Sequence, residues 1–392
     1  MSKKEKIEQA LNRGVERIYP SKKALEKVLL SNKKIRIYQG FDPSAPNLHL
    51  GNYVGILKLK QFQELGHEVI FLVGDFTGMI GDPTGKIEGA RPELTRQQVL
   101  KNAKNYKKQA GKILNFSGKN PAKIKYNSKW LANLGVDKLI SLMRHLTYSQ
   151  IIKRDMFQKR IENGEDILLS EFFYPLMQAY DSVYMDVDLE IGGSDQMFNM
   201  LVGRQLMKKL KNKEKFVLTT KLLVDKEGKK VGKTTGNAIF LNNSPQDIFG
   251  KIMAFPDEAI MLGFELLTII PLEKIAKSEN PMALKKKLGF EVVKMNYDEK
   301  EAEQAKKEFE RVFGNKELPK DIKEINMKEE PIKVLDLLVK TKLASSKSQA
   351  KRLILQGGVK IDKKKQDDWQ ALISVEKGMI IQVGKRKFVR IK

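Results

Sequence analysis

A histidine, a glycine and an asparagine stand where a helix should begin, at the end of the run Tyr38-Gln-Gly-Phe-Asp-Pro-Ser-Ala-Pro-Asn-Leu-His-Leu-Gly-Asn52. The apolar strand Ile35 to Tyr38 feeds two turns rich in glycine and proline, and the apolar pattern then predicts a helix from about Tyr53 to Leu65. The start of such a helix holds a phosphate or other anion with free backbone N–H groups and the positive end of the dipole. His49 and Asn52 add imidazole and amide donors there, and Gly51 leaves room for a ligand to approach the backbone. The chemistry implied is nucleotide binding.

Two further groupings could act with it. Gly228-Lys-Lys-Val-Gly232-Lys233-Thr234 has three residues between its glycines where a P-loop needs four, and Glu227 stands where a glycine would be required. Taken alone, it reads as a solvated basic turn. If the loop swings over a site, however, Lys230 and Lys233 could clamp a phosphate chain. The second grouping is Tyr174, Gln178 and Asp181, spaced to put a phenol, an amide and a carboxylate on one helix face. Such stripes are usually solvated, but Phe172, Leu176 and Tyr180 require that face to be partly enclosed. Pro175 belongs near a first turn, so the helix is expected to start close to residue 171.

The elements that must position these residues follow a strand–helix rhythm. Ile35 to Val73 reads as a βαβ unit, with Glu68 to Val73 a continuous apolar strand. A second cycle runs through a helix at about 171–184, a strand from Val187 to Ile191, Gly192-Gly193, and a helix from about Asp195 to Leu210. This predicts a doubly wound, parallel-sheet, Rossmann-like α/β domain over 1–240, with its ligand beyond the carboxyl ends of the strands. A helical domain is expected over 241–318, a charged linker over 319–330, and a small α+β module over 331–392. In that module Ser346 to Gln349 makes a capping box and Gly357-Gly358 a stop, and a final hairpin turns at Gly384-Lys385.

Composition narrows the chemistry. The 392 residues include no cysteine, which removes disulfides, thiolate zinc sites and cysteine nucleophiles together. Three histidines argue against a multi-histidine metal cage. No apolar run is long enough to span a bilayer, so a soluble, cytoplasmic protein is expected. The net charge of +25 is uneven: residues 331–392 hold 16 Lys/Arg against 5 Asp/Glu. Charge concentrated in a foldable module favours a polyanion, and nucleic acid over membrane because no basic amphipathic helix with aromatic anchors is present.

The His49-Leu-Gly-Asn52 helix mouth and the Lys230-Val-Gly-Lys233-Thr234 loop, in this order on an α/β pattern, resemble the two ATP motifs of class I aminoacyl-tRNA synthetases. Gln178-Ala-Tyr-Asp181 and Gly192-Gly-Ser-Asp-Gln196 resemble those of bacterial tyrosyl-tRNA synthetases. Thr77 to Lys86 is similar to that family's segment after the second strand. Ala344 to Val359 is similar to an RNA-binding domain first recognised in a small-subunit ribosomal protein. Asn52 replaces the family's commonest second histidine, Val231-Gly232 replaces methionine-serine, and the spacing from Lys86 to Arg91 is one residue longer than in close relatives.

The resemblance implies residue roles. His49 and Asn52 would stabilise charge at the α-phosphate, while Lys86, Arg91, Lys230, Lys233 and Thr234 would attend the departing pyrophosphate. Gly40, Asp42, Gly51, Gly193 and Asp195 would complete the ATP site. A tyrosine phenol would sit between Tyr38 and Asp181, its ammonium near Asp82, Tyr174 and Gln178, with Gln196 on its polar groups. Lys347, Lys351, Arg352, Lys360, Lys385, Arg386 and Lys387 would meet tRNA(Tyr). The implied activity is ATP-dependent, AMP-forming ligation of L-tyrosine to tRNA by a homodimer, with Mg2+ held mainly by the phosphates and no protein metal site. The rival readings are a tryptophanyl-tRNA synthetase, a synthetase-like RNA-binding protein with an idle ATP site, and a P-loop NTPase, which Glu227 opposes.

Overall fold

Segments between Val15 and Thr220 assemble into a six-stranded sheet of order β1-β6-β5-β2-β3-β4. The strands are β1 Val15–Tyr19, β2 Arg36–Phe41, β3 Glu68–Val73, β4 Lys123–Tyr126, β5 Leu189–Gly193 and β6 Phe216–Thr220. This is a computed structural model, and it describes residues 2–31, 33–84, 94–225, 227–228, 230, 238–275, 280–314, 322–384 and 387–392. All pairings are parallel except that of β1 with β6, an antiparallel edge the sequence pattern did not suggest. In the parallel register Tyr38 lies opposite Ile70 on one side and Glu190 on the other. Register partners on neighbouring strands project to the same face, so Tyr38 and Glu190 are set side by side.

The helix after β2 spans Leu50–Glu64, starting three residues earlier than the apolar pattern suggested. His49 is its N-cap: His49 Nδ1 accepts from Gly51 N at 3.0 Å and Asn52 Oδ1 accepts from His49 N at 3.0 Å. This reciprocal box satisfies two of the helix's orphan donors and defines its first turn. The helix Leu169–Met185 also begins earlier than expected, which leaves Pro175 inside it rather than in the first turn. Glu171 sets the start, accepting from Leu168 N at 3.2 Å and from Arg160 Nη1 at 2.7 Å in a buried pair. Burial of Leu176, Met177 and Ala179 then carries the helix past the hydrogen bond that proline cannot donate. The strand β5 ends at Gly193, two residues later than predicted, and a 3-10 turn, Ser194–Gln196, leads into the helix Met197–Lys211.

The chain divides into two compact units, Met1–Ala302 and Glu303–Lys392. The helices Pro245–Ile252, Ile260–Leu267 and Pro281–Asn296 fall in the first unit with the sheet. The second unit builds its own core from Val334, Leu337, Ile354, Val359, Ile381 and Val389. Its larger sheet contains the expected hairpin of Ile380–Val383 and Lys387–Ile391. Lys323–Ile325, inside the segment expected to be a linker, joins this sheet as a strand parallel to Lys387–Ile391. That edge pairing takes residues 323–325 out of the linker despite their charge. Ser346 caps the helix Lys347–Leu355 by accepting from Gln349 N at 3.2 Å. Gln349 Oε1 returns to Ser345 N at 2.6 Å, one residue outside the predicted box. Among the described residues no helix is long and apolar enough to cross a membrane.

Candidate active site

A cavity of about 520 Å³ opens where β2, β3, β5 and β6 end, lined by Phe41, Gly74, Gly193 and Thr220 from those ends. Tyr38, Gly40, Asp42, His49, Gly51, Asn52, Asp82, Tyr174, Gln178, Asp181, Gly193, Asp195, Gln196 and Lys230 all line it. Every described residue expected at the amino-acid and ATP sites is therefore in one cavity. Lys86, Arg91, Lys233 and Thr234 lie outside the described residues.

Tyr38 and Asp181 form the deep end, 1% and 3% exposed. Trp130 Nε1 donates to Asp181 Oδ1 at 2.8 Å and Asn127 Nδ2 to Oδ2 at 3.2 Å. Burial pushes the Asp181 carboxyl well above the usual carboxylate range; these two donors oppose the shift, and the charges of Glu190 and Asp42 add to it. Tyr38 Oη shares a 2.8 Å hydrogen bond with Ser182 Oγ. Its ionisation is raised by burial first, then by the negative charges of Glu190 and Asp181, so it stays a neutral phenol.

Along the wall, Tyr174 Oη donates to Asp42 Oδ2 at 2.8 Å and Thr77 Oγ1 to Asp42 Oδ1 at 2.7 Å. Gly74 makes this possible, because a side chain there would collide with Oδ1 of Asp42. The Tyr174 phenol thus has its proton committed to Asp42. Asp82 Oδ2 accepts from Gln196 Nε2 at 2.6 Å and Asp82 Oδ1 from Thr84 N at 2.9 Å. Gln178 Nε2 donates to Glu190 Oε1 at 2.9 Å.

At the helix mouth, the capping box uses Nδ1 of His49 as an acceptor, which puts the ring proton on Nε2. Asn52 spends its oxygen on the same box, leaving its amide hydrogens as donors. A side chain at Gly51 would come within 2.8 Å of the His49 ring, so this glycine serves the cap as well as ligand approach. Lys230 Nζ pairs with Asp195 Oδ2 at 2.6 Å. Among the described residues, no group of three or more His, Asp or Glu is gathered as a metal ion would require.

Sequence reasoning missed Thr77, Asn127, Trp130, Ser182, Glu190 and Lys215. Ser182 adjoins Asp181, and Glu190 immediately precedes the Ile-Gly-Gly run, but nothing local marks either as polar core. Lys215, fully buried, stands in Lys213-Glu-Lys215, which reads as a solvated turn.

In the second unit Lys347, Arg352, Lys360 and Lys387 are exposed, while Lys385 and Arg386 lie outside the described residues. Lys347 pairs with Asp336 at 2.7 Å, and Lys351 Nζ sits 3.7 Å from the centre of the Trp369 ring.

The chain is similar to known proteins over nearly its full length. Residues 30–314 match the family model described as tRNA synthetases class I (W and Y), and residues 315–391 match that of the tyrosine–tRNA ligase SYY-like C-terminal domain. A tyrosine–tRNA ligase of Photobacterium profundum is 44% identical over 98% of this chain and 98% of its own length. One from Moorella thermoacetica is 40% identical over 97% of this chain and 94% of its own. Among solved structures, a C-terminally truncated mitochondrial tyrosyl-tRNA synthetase of Coccidioides posadasii superposes with a TM-score of 0.62 at 25% identity, covering 77% of this chain and 91% of that one.

Proposed function

The chain belongs to the class I tRNA synthetases (W and Y), and from that membership we propose that its cavity seats tyrosine against Tyr38 and Asp181 and ATP against the His49 helix mouth. The activity is that of a tyrosine–tRNA ligase. In the first step a tyrosine carboxylate oxygen attacks the α-phosphorus of ATP, the bond to the bridging oxygen breaks, and pyrophosphate leaves with that electron pair. In the second, a terminal hydroxyl oxygen of tRNA(Tyr) attacks the tyrosyl carbonyl, the bond from that carbonyl carbon to the phosphate oxygen breaks, and AMP leaves with that electron pair while the hydroxyl releases its proton.

Asp181 accepts the substrate phenol's proton in a hydrogen bond and Tyr38 contacts the phenol oxygen. Phenylalanine would offer neither buried group the polar partner that the phenol supplies. Asp82, Tyr174 and Gln178 hold the ammonium, and Gln196 adds a polar contact through its tie to Asp82. Gly40 and Asp42 flank the nucleotide, and Gly193 and Asp195 meet its ribose. His49 Nε2–H and the Asn52 amide face charge developing on the α-phosphate, and Lys230 with Lys86, Arg91, Lys233 and Thr234 attends the pyrophosphate. No side chain acts as nucleophile, so rate comes from positioning and charge stabilisation. Mg2+ would be held mainly by the phosphates, since the cavity carboxylates Asp42, Asp82, Asp181, Glu190 and Asp195 are each engaged by protein donors.

The module over 331–392 binds tRNA through basic side chains, Lys347, Arg352, Lys360 and Lys387 among them being exposed, and we place the work in the cytoplasm. We also propose a homodimer: the helix Val136–Met143 leaves Val136, Ile140 and Met143 exposed, an apolar stripe a second copy can cover. The observation that carries the reading is the single cavity holding both the phenol-recognising pair and the helix-mouth donors. Tyrosine-dependent exchange of pyrophosphate into ATP tests it. Exchange is expected with tyrosine; its absence, or exchange with tryptophan instead, overturns the assignment.

A further inference from the structure

Glu190 is bonded toward both ends of the amino-acid pocket. Its Oε1 accepts from Gln178 Nε2 at 2.9 Å, while its Oε2 accepts from Lys215 Nζ and lies 3.3 Å from Ser182 Oγ. Lys215 Nζ also donates to Ser182 Oγ at 2.9 Å, and Ser182 Oγ is 2.8 Å from Tyr38 Oη. Glu190, Lys215 and Ser182 are 2%, 0% and 0% exposed, so no water competes for these bonds. The room for the pair is built in: a side chain at Gly203, on the neighbouring helix, would come within 2.5 Å of Lys215 Nζ.

We propose that Glu190 and Lys215 are positioning residues that aim the hydrogen-bonding groups at both ends of a tyrosine substrate. The inference rests on the tyrosine-activating reading above and names residues that act through Gln178, Ser182 and Tyr38.

At the ammonium end, Glu190 can only accept, so it captures the NH2 side of the Gln178 amide. Gln178 Oε1 is then left buried with no hydrogen-bond partner among the described residues. A lone buried acceptor next to a cavity is costly unless a ligand donor reaches it, and a substrate ammonium carries only donors. At the phenol end, Lys215 occupies Ser182 Oγ as a donor, so Ser182 has one hydrogen to give. That hydrogen goes to Glu190 Oε2, 3.3 Å away, because a carboxylate oxygen accepts more than one bond and is a stronger acceptor than a phenol oxygen. Ser182 Oγ then accepts from Tyr38 Oη at 2.8 Å, which holds the Tyr38 oxygen where the substrate phenol would sit, beside Asp181.

A purely structural ion pair would predict something different: loss of stability with recognition intact. Removing one partner alone leaves an uncompensated buried charge, so both are neutralised together, Glu190→Gln with Lys215→Met. In pyrophosphate exchange the KM for tyrosine is expected to rise about tenfold or more, while the KM for ATP stays within about twofold. Two probes separate the ends. Tyramine keeps the ammonium and 3-(4-hydroxyphenyl)propionate lacks it, and the advantage of the first as an inhibitor should shrink by about tenfold. The ratio of kcat/KM for phenylalanine over tyrosine should rise by about the same factor.

Ser182→Ala leaves both charges in place and tests the phenol end alone: it should raise the phenylalanine ratio and leave the tyramine advantage unchanged. Folded variants that keep both ratios and the tyrosine KM within about twofold of the parent would overturn the proposal. If the unsubstituted chain fails to exchange with tyrosine, the underlying reading falls, and the positioning role falls with it.

Discussion

The indole nitrogen of Trp130 donates to Oδ1 of Asp181 at 2.8 Å, across 51 positions of sequence, and so fixes the Asp181 carboxylate at the pocket's deep end. Asn127 takes the other oxygen from the same short segment after β4. Both donors stabilise the charged form of a group that burial pushes toward neutrality.

Asp181→Ala is therefore expected to abolish tyrosine activation, and Trp130→Phe to lower kcat/KM for tyrosine by about tenfold, as removal of one hydrogen bond to a charged group would. Steady-state exchange kinetics decide both. Unchanged activation in Asp181→Ala would remove that residue from the pocket.

Lys230 rests on Asp195 at 2.6 Å, between the expected ribose contact and the phosphate region. Lys230→Ala should slow adenylate formation by about 10²–10³-fold, the scale for removing a preorganised charge partner of the transition state. Tyrosine affinity, measured by equilibrium titration, should not move. A matching loss of tyrosine binding would place Lys230 in ground-state architecture instead.

Arg352, Lys360 and Lys387 are exposed on the C-terminal module. Replacing all three by alanine should leave pyrophosphate exchange intact and weaken tRNA binding. The slope of log affinity against log salt should fall by about one for each phosphate that these side chains neutralise in the parent. Equal affinity and slope in parent and variant would assign tRNA binding to other residues.

His67 is 4% exposed, its Nδ1 accepting from Ile35 N at 3.5 Å. Burial first, then the nearby charges of Lys3 and Lys34, lower its ionisation from 6.5 to about 4. The unfolded chain therefore takes up the proton first as pH falls. The stability this contributes is complete above the unfolded value and is lost as pH drops from about 6.5 toward 4, roughly 3 kcal/mol across that window. His67→Phe should flatten this part of the stability profile, read from denaturant midpoints across the window. A profile as steep as the parent's would assign the dependence to other groups.

Locally encoded features were legible in the sequence. His49, Gly51 and Asn52 do stand at a helix mouth, and the Tyr174, Gln178, Asp181 face follows from helical periodicity alone. Helix starts were less legible, because capping and a buried Arg160–Glu171 pair outweighed apolar periodicity and the proline at 175. The antiparallel β1 edge and the strand Lys323–Ile325 were hidden because pairing partners, not composition, make an edge strand.

By itself, then, the amino-acid sequence determined the α/β class and which residues stand at the helix mouth, since each depends on neighbours within a turn or two. Only the tertiary structure decided which polar groups hold those residues in place. Trp130 reaches Asp181 and Lys215 reaches Glu190 because the sheet register and helix packing remove all four from water. Out of water a lysine or glutamate must find a partner, whereas in the sequence the same residue types read as solvated surface.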